Sequence, residues 1–191
     1  MKKTLVTSIA AIALAITSFG ITTQISSAAD AKDPKVGGAD MYPTKTIVEN
    51  AVNSPVHTTL VAAVKAAGLV DTLNSPGPFT VFAPTNAAFD KLPAGTVATL
   101  VKPENKATLT KILTYHVVAG KLSAKDIADG IKAGGGKYVM TTVEGGKLTA
   151  SMSGKKIVLT DEKGGTATIT TANVFQSNGV IDVIDTVLMP S

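Results

Sequence analysis

The chain of 191 residues carries 18 basic and 14 acidic residues, a formal charge of +4, and neither cysteine nor tryptophan. Every basic residue is lysine. Bidentate reading of guanine or phosphate leans on arginine, so no nucleic-acid partner is expected. The lack of cysteine excludes thiol catalysis, iron–sulfur clusters and cysteine zinc sites.

Met1-Lys2-Lys3 is a short basic start, Leu5 to Ile21 is mostly apolar, and small residues follow in ISSAAD. This is the pattern of a secretory signal peptide over residues 1–28, cleaved after Ala28 or Ala29. The apolar run is diluted by Thr7, Ser8, Thr17 and Ser18 and is short for a membrane anchor. No transmembrane span is expected in the mature chain, and the protein is expected to be secreted or periplasmic. Losing Lys2 and Lys3 leaves 16 basic against 14 acidic residues, net +2. Residues 29–41, small, charged and glycine-containing, read as a flexible lead.

Thr44 to Val52 reads as a first short helix, broken by Pro55. Thr58 to Ala67 is the clearest helix, with Leu60, Val61 and Val64 in one stripe and Gly68 closing it. Residues 77–93, GPFTVFAPTNAAFDKLP, read as strand, sharp turn and short helix. Phe79 and Phe82 belong to a strand buried on two sides. Pro84 ends it. Thr85 and Asn86 offer oxygens to the free N–H groups of the next helix, and Phe89 turns that helix to the core.

Gly95 to Val101 and Asn105 to Thr114 are two more expected helices. Tyr115 to Val118, YHVV, reads as a strand, and Ser123 with Asp126 as a capping box for a helix carrying Ile127 and Ile131. The period then switches to two. Strands are expected at Tyr138 to Val143, around Leu148, Ala150 and Met152, at Ile157 and Leu159, and at Thr166 to Thr170, with glycine turns between them. Val180 to Leu188 reads as a late, central strand. Helices followed by a strand meander predict an α+β domain.

Three segments, residues 77–93, YHVV at Tyr115 to Val118 and NGVIDVIDTVLMP at Asn178 to Pro190, resemble in order and spacing the signature motifs of fasciclin-type (FAS1) domains. The resemblance covers residues 42–190, an ordinary single-domain size. It implies a twisted wedge or sandwich of antiparallel strands with helices packed on it, mostly from the N-terminal half. In some animal members the Tyr-His region is linked with adhesion. On that basis Tyr115 and His116 are candidate interaction residues. Asn173 and Val174 stand where several animal members carry an Asp-Ile pair associated with integrin binding, and are candidates by position. The residue types differ, so integrin binding is not carried over. Asp182 stands where the motif commonly shows histidine.

His116 lies in an apolar segment and reads first as a core histidine with hydrogen-bonded ring nitrogens. His57, near a helix start, reads as a local cap or a surface group. Asp185 is the conspicuous carboxylate of the last strand. It is expected to meet His116 and Asn86 in a buried polar cluster joining the three motifs, because an unpaired buried carboxylate costs several kcal/mol. Asn178 and Gly179 open the last motif and are read as structural. No G-x-S-x-G elbow accompanies the histidines, no metal-ligand cluster is present, and no cofactor is expected.

The expected function is a non-enzymatic interaction module for adhesion or cell-surface and matrix association. Its partner would be a surface or matrix protein or polysaccharide. The alternative is a binding protein for a small apolar or lipid-like ligand, in a cleft lined by Val118, Met140 and Met152.

Overall fold

The computed structural model describes residues 34–191. The expected signal peptide, and the lead as far as Asp33, lie outside the described residues. Seven α-helices, a 3-10 turn at Pro103–Asn105 and seven strands follow among these residues. The helices are α1 (Ile47–Asn53), α2 (Thr58–Ala67), α3 (Val70–Asn74), α4 (Asn86–Asp90), α5 (Thr96–Leu100), α6 (Lys106–Tyr115) and α7 (Ala124–Ala133). The strands are β1 (Phe79–Pro84), β2 (Val117–Ala119), β3 (Lys137–Thr141), β4 (Lys147–Ser153), β5 (Lys156–Thr160), β6 (Thr166–Gln176) and β7 (Gly179–Ile184). The architecture is α+β.

Local chemistry sets the helix ends. Thr46 and Glu49 form a reciprocal capping box on α1, and Ser123 and Asp126 form the expected one on α7. Each pair satisfies two N–H groups that the helix cannot. Gly68 closes α2 in the left-handed conformation, φ 72°, which glycine adopts without a Cβ penalty.

The strands form one mixed sheet in the order β2-β1-β7-β6-β5-β4-β3. Strand pairs are antiparallel except β1 with β7, which runs parallel from Phe79 opposite Gly179 to Pro84 opposite Ile184. A parallel pair needs a long crossover, and here the chain between them builds α4 to α7 and five strands. The two edges nearly meet. Val118 bridges Thr142, and the Val143 N–H donates to the Val117 carbonyl at 2.7 Å.

Two apolar cores lie on opposite faces of β1 and β7. Val81, Ala83, Ile181 and Val183 face α1 to α6. Phe82 and Ile184 face the inside of the curled sheet, with Tyr115, Leu148, Leu159 and Ile127 of α7. The last strand is shorter than the sequence pattern suggested, ending at Ile184, and β6 is longer, with register shifts between Ile169 and Val174.

The lead is not wholly flexible. Val36 and Met41 are buried in the helix-side core, and Val36 and Ala39 exchange backbone hydrogen bonds of 3.0 and 3.1 Å. Asn50, fully buried, accepts from the Tyr42 N–H and donates to the Tyr42 carbonyl. Two apolar side chains in a charged stretch give little periodicity, which is why the pattern hid them.

Gly179 is fixed by close approach. A Cβ there would lie 2.1 Å from the Phe79 carbonyl oxygen and 3.0 Å from Ile47 Cδ1. Gly179→Ala is therefore expected to lower the stability to denaturant by about 3 kcal/mol, the upper range for overpacking. A denaturation midpoint within error of the parent protein's would refute the clash.

Candidate functional site

Asn86 does not meet His116 or Asp185. Its side chain accepts from Thr58 Oγ1 and the Thr59 N–H at 3.2 and 3.0 Å, and donates to the Pro55 carbonyl. It therefore caps the start of α2 from across the fold, where the N-cap residue His57 makes no side-chain cap bond. Thr85 caps its own helix by accepting from the Ala88 N–H. Phe82 and Phe89 are buried, and Phe79 is half-buried.

Asp185 lies just past the end of β7 and is half-buried. It accepts from the Thr168 N–H at 2.8 Å and from Thr186 Oγ1 at 3.0 Å. The expected three-residue cluster is corrected accordingly. The carboxylate inside the strand is Asp182, opposite Phe82 and fully buried. Its Oδ1 accepts from the Asn173 N–H at 2.9 Å, while Oδ2 has no partner. Burial pushes its pKa up to about 6, against a smaller lowering by the Asn173 bond. Asn173 sits at φ 62° in the irregular part of β6, and its side chain accepts from the Ala124 N–H at 2.8 Å, at the start of α7. Asp182 thus holds the bend that lets Asn173 dock α7.

Tyr115 and His116 do not begin a strand. Tyr115 ends α6, and His116 is its C-cap with φ −82° and ψ 0°. The Tyr115 hydroxyl donates to the Lys147 carbonyl at 2.6 Å and accepts from the Glu162 N–H at 3.2 Å. Its pKa is pushed up to about 12 by burial. His116 Nδ1 donates to the Ile112 carbonyl at 2.8 Å, and Nε2 accepts from the Leu188 N–H at 3.0 Å. This pair of bonds fixes the neutral tautomer. Tyr115, His116 and Val174 are all buried, so none of these three offers a contact surface. Asn178, also buried, accepts from the Ile47 N–H and donates to the carbonyls of Leu73 and Ser75. It ties α1 and α3 to the start of β7.

His57 is buried and neither caps α2 nor lies at the surface. Its Nδ1 bonds Ser54 Oγ at 2.9 Å, and its Nε2 makes no well-formed hydrogen bond, although the Ala83 carbonyl lies close enough to the ring to act on it. Burial lowers its pKa, with a smaller opposing pull from the Ala83 carbonyl. The ring lines an apolar cavity of about 60 Å3 between α1, α2, α3 and β1, walled by Ile47, Leu60, Val64, Leu73, Val81 and Ile181. The cleft expected at Val118, Met140 and Met152 is filled. Val118 and Met140 are core residues, and Met152 is exposed at the end of β4. Among the described residues no carboxylate bonds either histidine ring, and no group of metal-ligating side chains converges.

Sequence reasoning also missed Asp161. Oδ1 accepts from the N–H groups of Lys163 and Gly165, and Oδ2 from Met189. An aspartate three residues before a Gly-Gly pair is the available signal, since such a carboxylate closes a turn on its own backbone. Only the Met189 bond needs the fold.

The other surface feature is the outer face of β3 to β6. Strand register sets Val139, Thr149, Thr160 and Thr166 side by side in one row, and Lys137, Ser151, Val158 and Thr168 in the next. All eight are partly or fully exposed, and Lys137 on the edge strand is the one charge among them.

The buried ionisable groups act in opposition. The folded pKa of His116 is about 4 against an ordinary 6.5, with burial the main cause. Unfolded chains therefore take up the proton first, and stability is lost as pH falls from 6.5 toward 4, on the order of 3 kcal/mol. His57 acts in the same direction. Asp182 binds its proton more tightly in the folded state, about 6 against 3.8, so its contribution is present below pH 3.8 and lost as pH rises through 6. Asp182→Asn is expected to be more stable than the parent at pH 7, with the difference closing by pH 4. Urea unfolding across that range measures this, and a difference independent of pH would refute it.

The fasciclin domain family model matches residues 55–190. A Synechocystis relative, protein sll1483, is 50% identical over 145 residues, spanning 76% of this chain and 73% of its own length. The immunogenic protein MPB70 of Mycobacterium bovis is 41% identical, spanning 73% of this chain and 66% of its own. The cell surface glycolipoprotein MPB83 of that species is also 41% identical, over 58% of its own length. A solved FAS1 domain pair from the insect cell adhesion molecule fasciclin I superposes with a TM-score of 0.69 at 19% identity. The match covers 78% of this chain and 52% of the insect chain, and shares the fold.

Proposed function

The chain belongs to the fasciclin domain family, and from that premise we infer that it is an exported, non-catalytic binding module for adhesion or surface association. The signal-peptide pattern of residues 1–28 supplies the export route. The cell-surface description of the MPB83 relative supports the location.

The observation that carries this reading is the outer face of β3 to β6. Its two rows present threonine and serine hydroxyls and valine methyls, with a single charge, Lys137, at the β3 edge. Water is displaced from the β4 to β6 part of this face without stripping an ion, and broad contact with an uncharged polar partner is favoured there. The partner is a component of the cell envelope or surrounding matrix. Tyr115 and His116 support the module from inside by fixing the chain between α6 and β2. The two histidines and the buried carboxylates Asp161 and Asp182 serve turns and the core, which also favours a binding role over catalysis.

Val139 and Thr166 both point outward and are exposed. The double change Val139→Glu with Thr166→Glu is expected to leave the thermal transition nearly unchanged. It is expected to weaken binding of the full chain to isolated envelope fractions about tenfold, as loss of a central contact does. Binding by the variant as tight as the parent's would reject this face as the contact surface.

A further inference from the structure

We propose that the partner of the outer sheet face is a linear anionic polysaccharide, with its sugar hydroxyls over the threonine and serine rows and its acidic groups at Lys137 and Lys156. This rests on the reading of that face as the contact surface and names the chemistry that occupies it.

The lysines supply the sign of the partner. Lys156 lies opposite Ser153, one row beyond Ser151 and Val158 on the same outer face, and two strands away from Lys137. Lys132, in the last turn of α7, and Lys155, in the turn between β4 and β5, are exposed at this end of the sheet. From Gly130 to Thr160 the chain carries five lysines and one carboxylate, Glu144. Glu144 stands past the opposite end of β3 and pairs with Lys111. On α7, Asp126 is spent on the capping box and Asp129 on Lys125. The ion pairs among the described residues use Lys35, Lys102, Lys111 and Lys125, so Lys132, Lys137, Lys155 and Lys156 are unmatched. Residues 166–181 of β6 and β7 bear no charge at all. Like charges gathered at one end of a sheet, with no acid among them, attract an anionic partner.

The shape and composition of the face narrow that partner. It is the outside of a curled sheet, whereas a small molecule needs a concavity to bury most of its surface. A chain can lie across the strands. The hydroxyls of Thr149, Ser151, Thr160, Thr166 and Thr168 each donate and accept, as sugar hydroxyls do. Val139 and Val158 lie between them and suit the C–H faces of sugar rings. A single-stranded nucleic acid calls for stacking aromatics, and the rows hold none. A membrane surface calls for larger apolar side chains that insert, and the rows offer only valine methyls. Lysine is a strongly hydrated point charge, so the acidic groups stay wet at the edge while the sugar rings cover the uncharged rows.

The test measures binding of the full chain to alginate and to hyaluronate by calorimetry, at low and high salt. Dextran, polyglutamate of similar length and phosphatidylglycerol vesicles are the comparisons. We expect saturable binding to at least one acidic polysaccharide, at least about fivefold tighter than to any comparison, and weakened as salt screens the lysines. Lys137→Gln with Lys156→Gln should lose about fivefold, the range of two exposed ion pairs. Lys65→Gln with Lys102→Gln, the same loss of charge at exposed positions among the helices, should keep the parent affinity. Absence of saturation with both polysaccharides overturns the proposal, as does any comparison bound as tightly or an equal loss from the two lysine pairs. If neither polysaccharide binds while Val139→Glu with Thr166→Glu still weakens envelope binding, the face stands and its assigned partner is wrong. Envelope binding unchanged in that variant removes the face itself.

Discussion

The structure depends on the parallel ladder between Phe79–Pro84 and Gly179–Ile184. It joins segments nearly a hundred residues apart, and each core rests on one of its faces. Two neighbouring residues set its register. Gly179 admits the Phe79 carbonyl where any side chain would collide. Asn178 spends its whole amide on the N–H of Ile47 and the carbonyls of Leu73 and Ser75. Strand pairing and helix placement are thus fixed by adjacent positions. A one-residue slip would turn every core side chain of the strand to the wrong face.

Much of this was legible in the sequence, because it rests on local rules. The capping box at Ser123 and Asp126, the glycine after α2, and the alternating strands from Tyr138 onward need only periodicity and nearby hydrogen bonds. What was not legible depends on distant partners. YHVV has the β-branched composition of a strand, yet Tyr115 completes α6 because Lys147 and Glu162 bind its hydroxyl from another element. Asn86 looks like a local cap and instead serves a helix 28 residues earlier. The choice between Asp182 and Asp185 turned on where β7 ends, and ends are set by the partner strand. Six paired residues from Gly179 leave Asp185 outside the ladder.

Asp182 shows why a buried carboxylate can persist in such a strand. Its Oδ2 is unsatisfied, a cost of the kind that stable folds normally avoid. Its Oδ1 holds the backbone N–H of Asn173, a residue in the left-handed region, and Asn173 in turn receives the first N–H of α7. Removing the charge would relieve the desolvation while keeping an acceptor for Asn173. The acid therefore matters as an acceptor in this geometry, and its charge is a burden that the fold carries.

The two histidines are matched to different degrees by the same accounting. His116 closes a circuit between the end of α6 and the segment after β7, donating at one nitrogen and accepting at the other, and has no capacity left. His57 closes only half a circuit, through Ser54. Its ring does not cap α2 either, because Asn86 has taken that task. The Ala83 carbonyl of β1 acts on the ring without a well-formed bond, so His57 is held in the core with less of its polarity matched than His116.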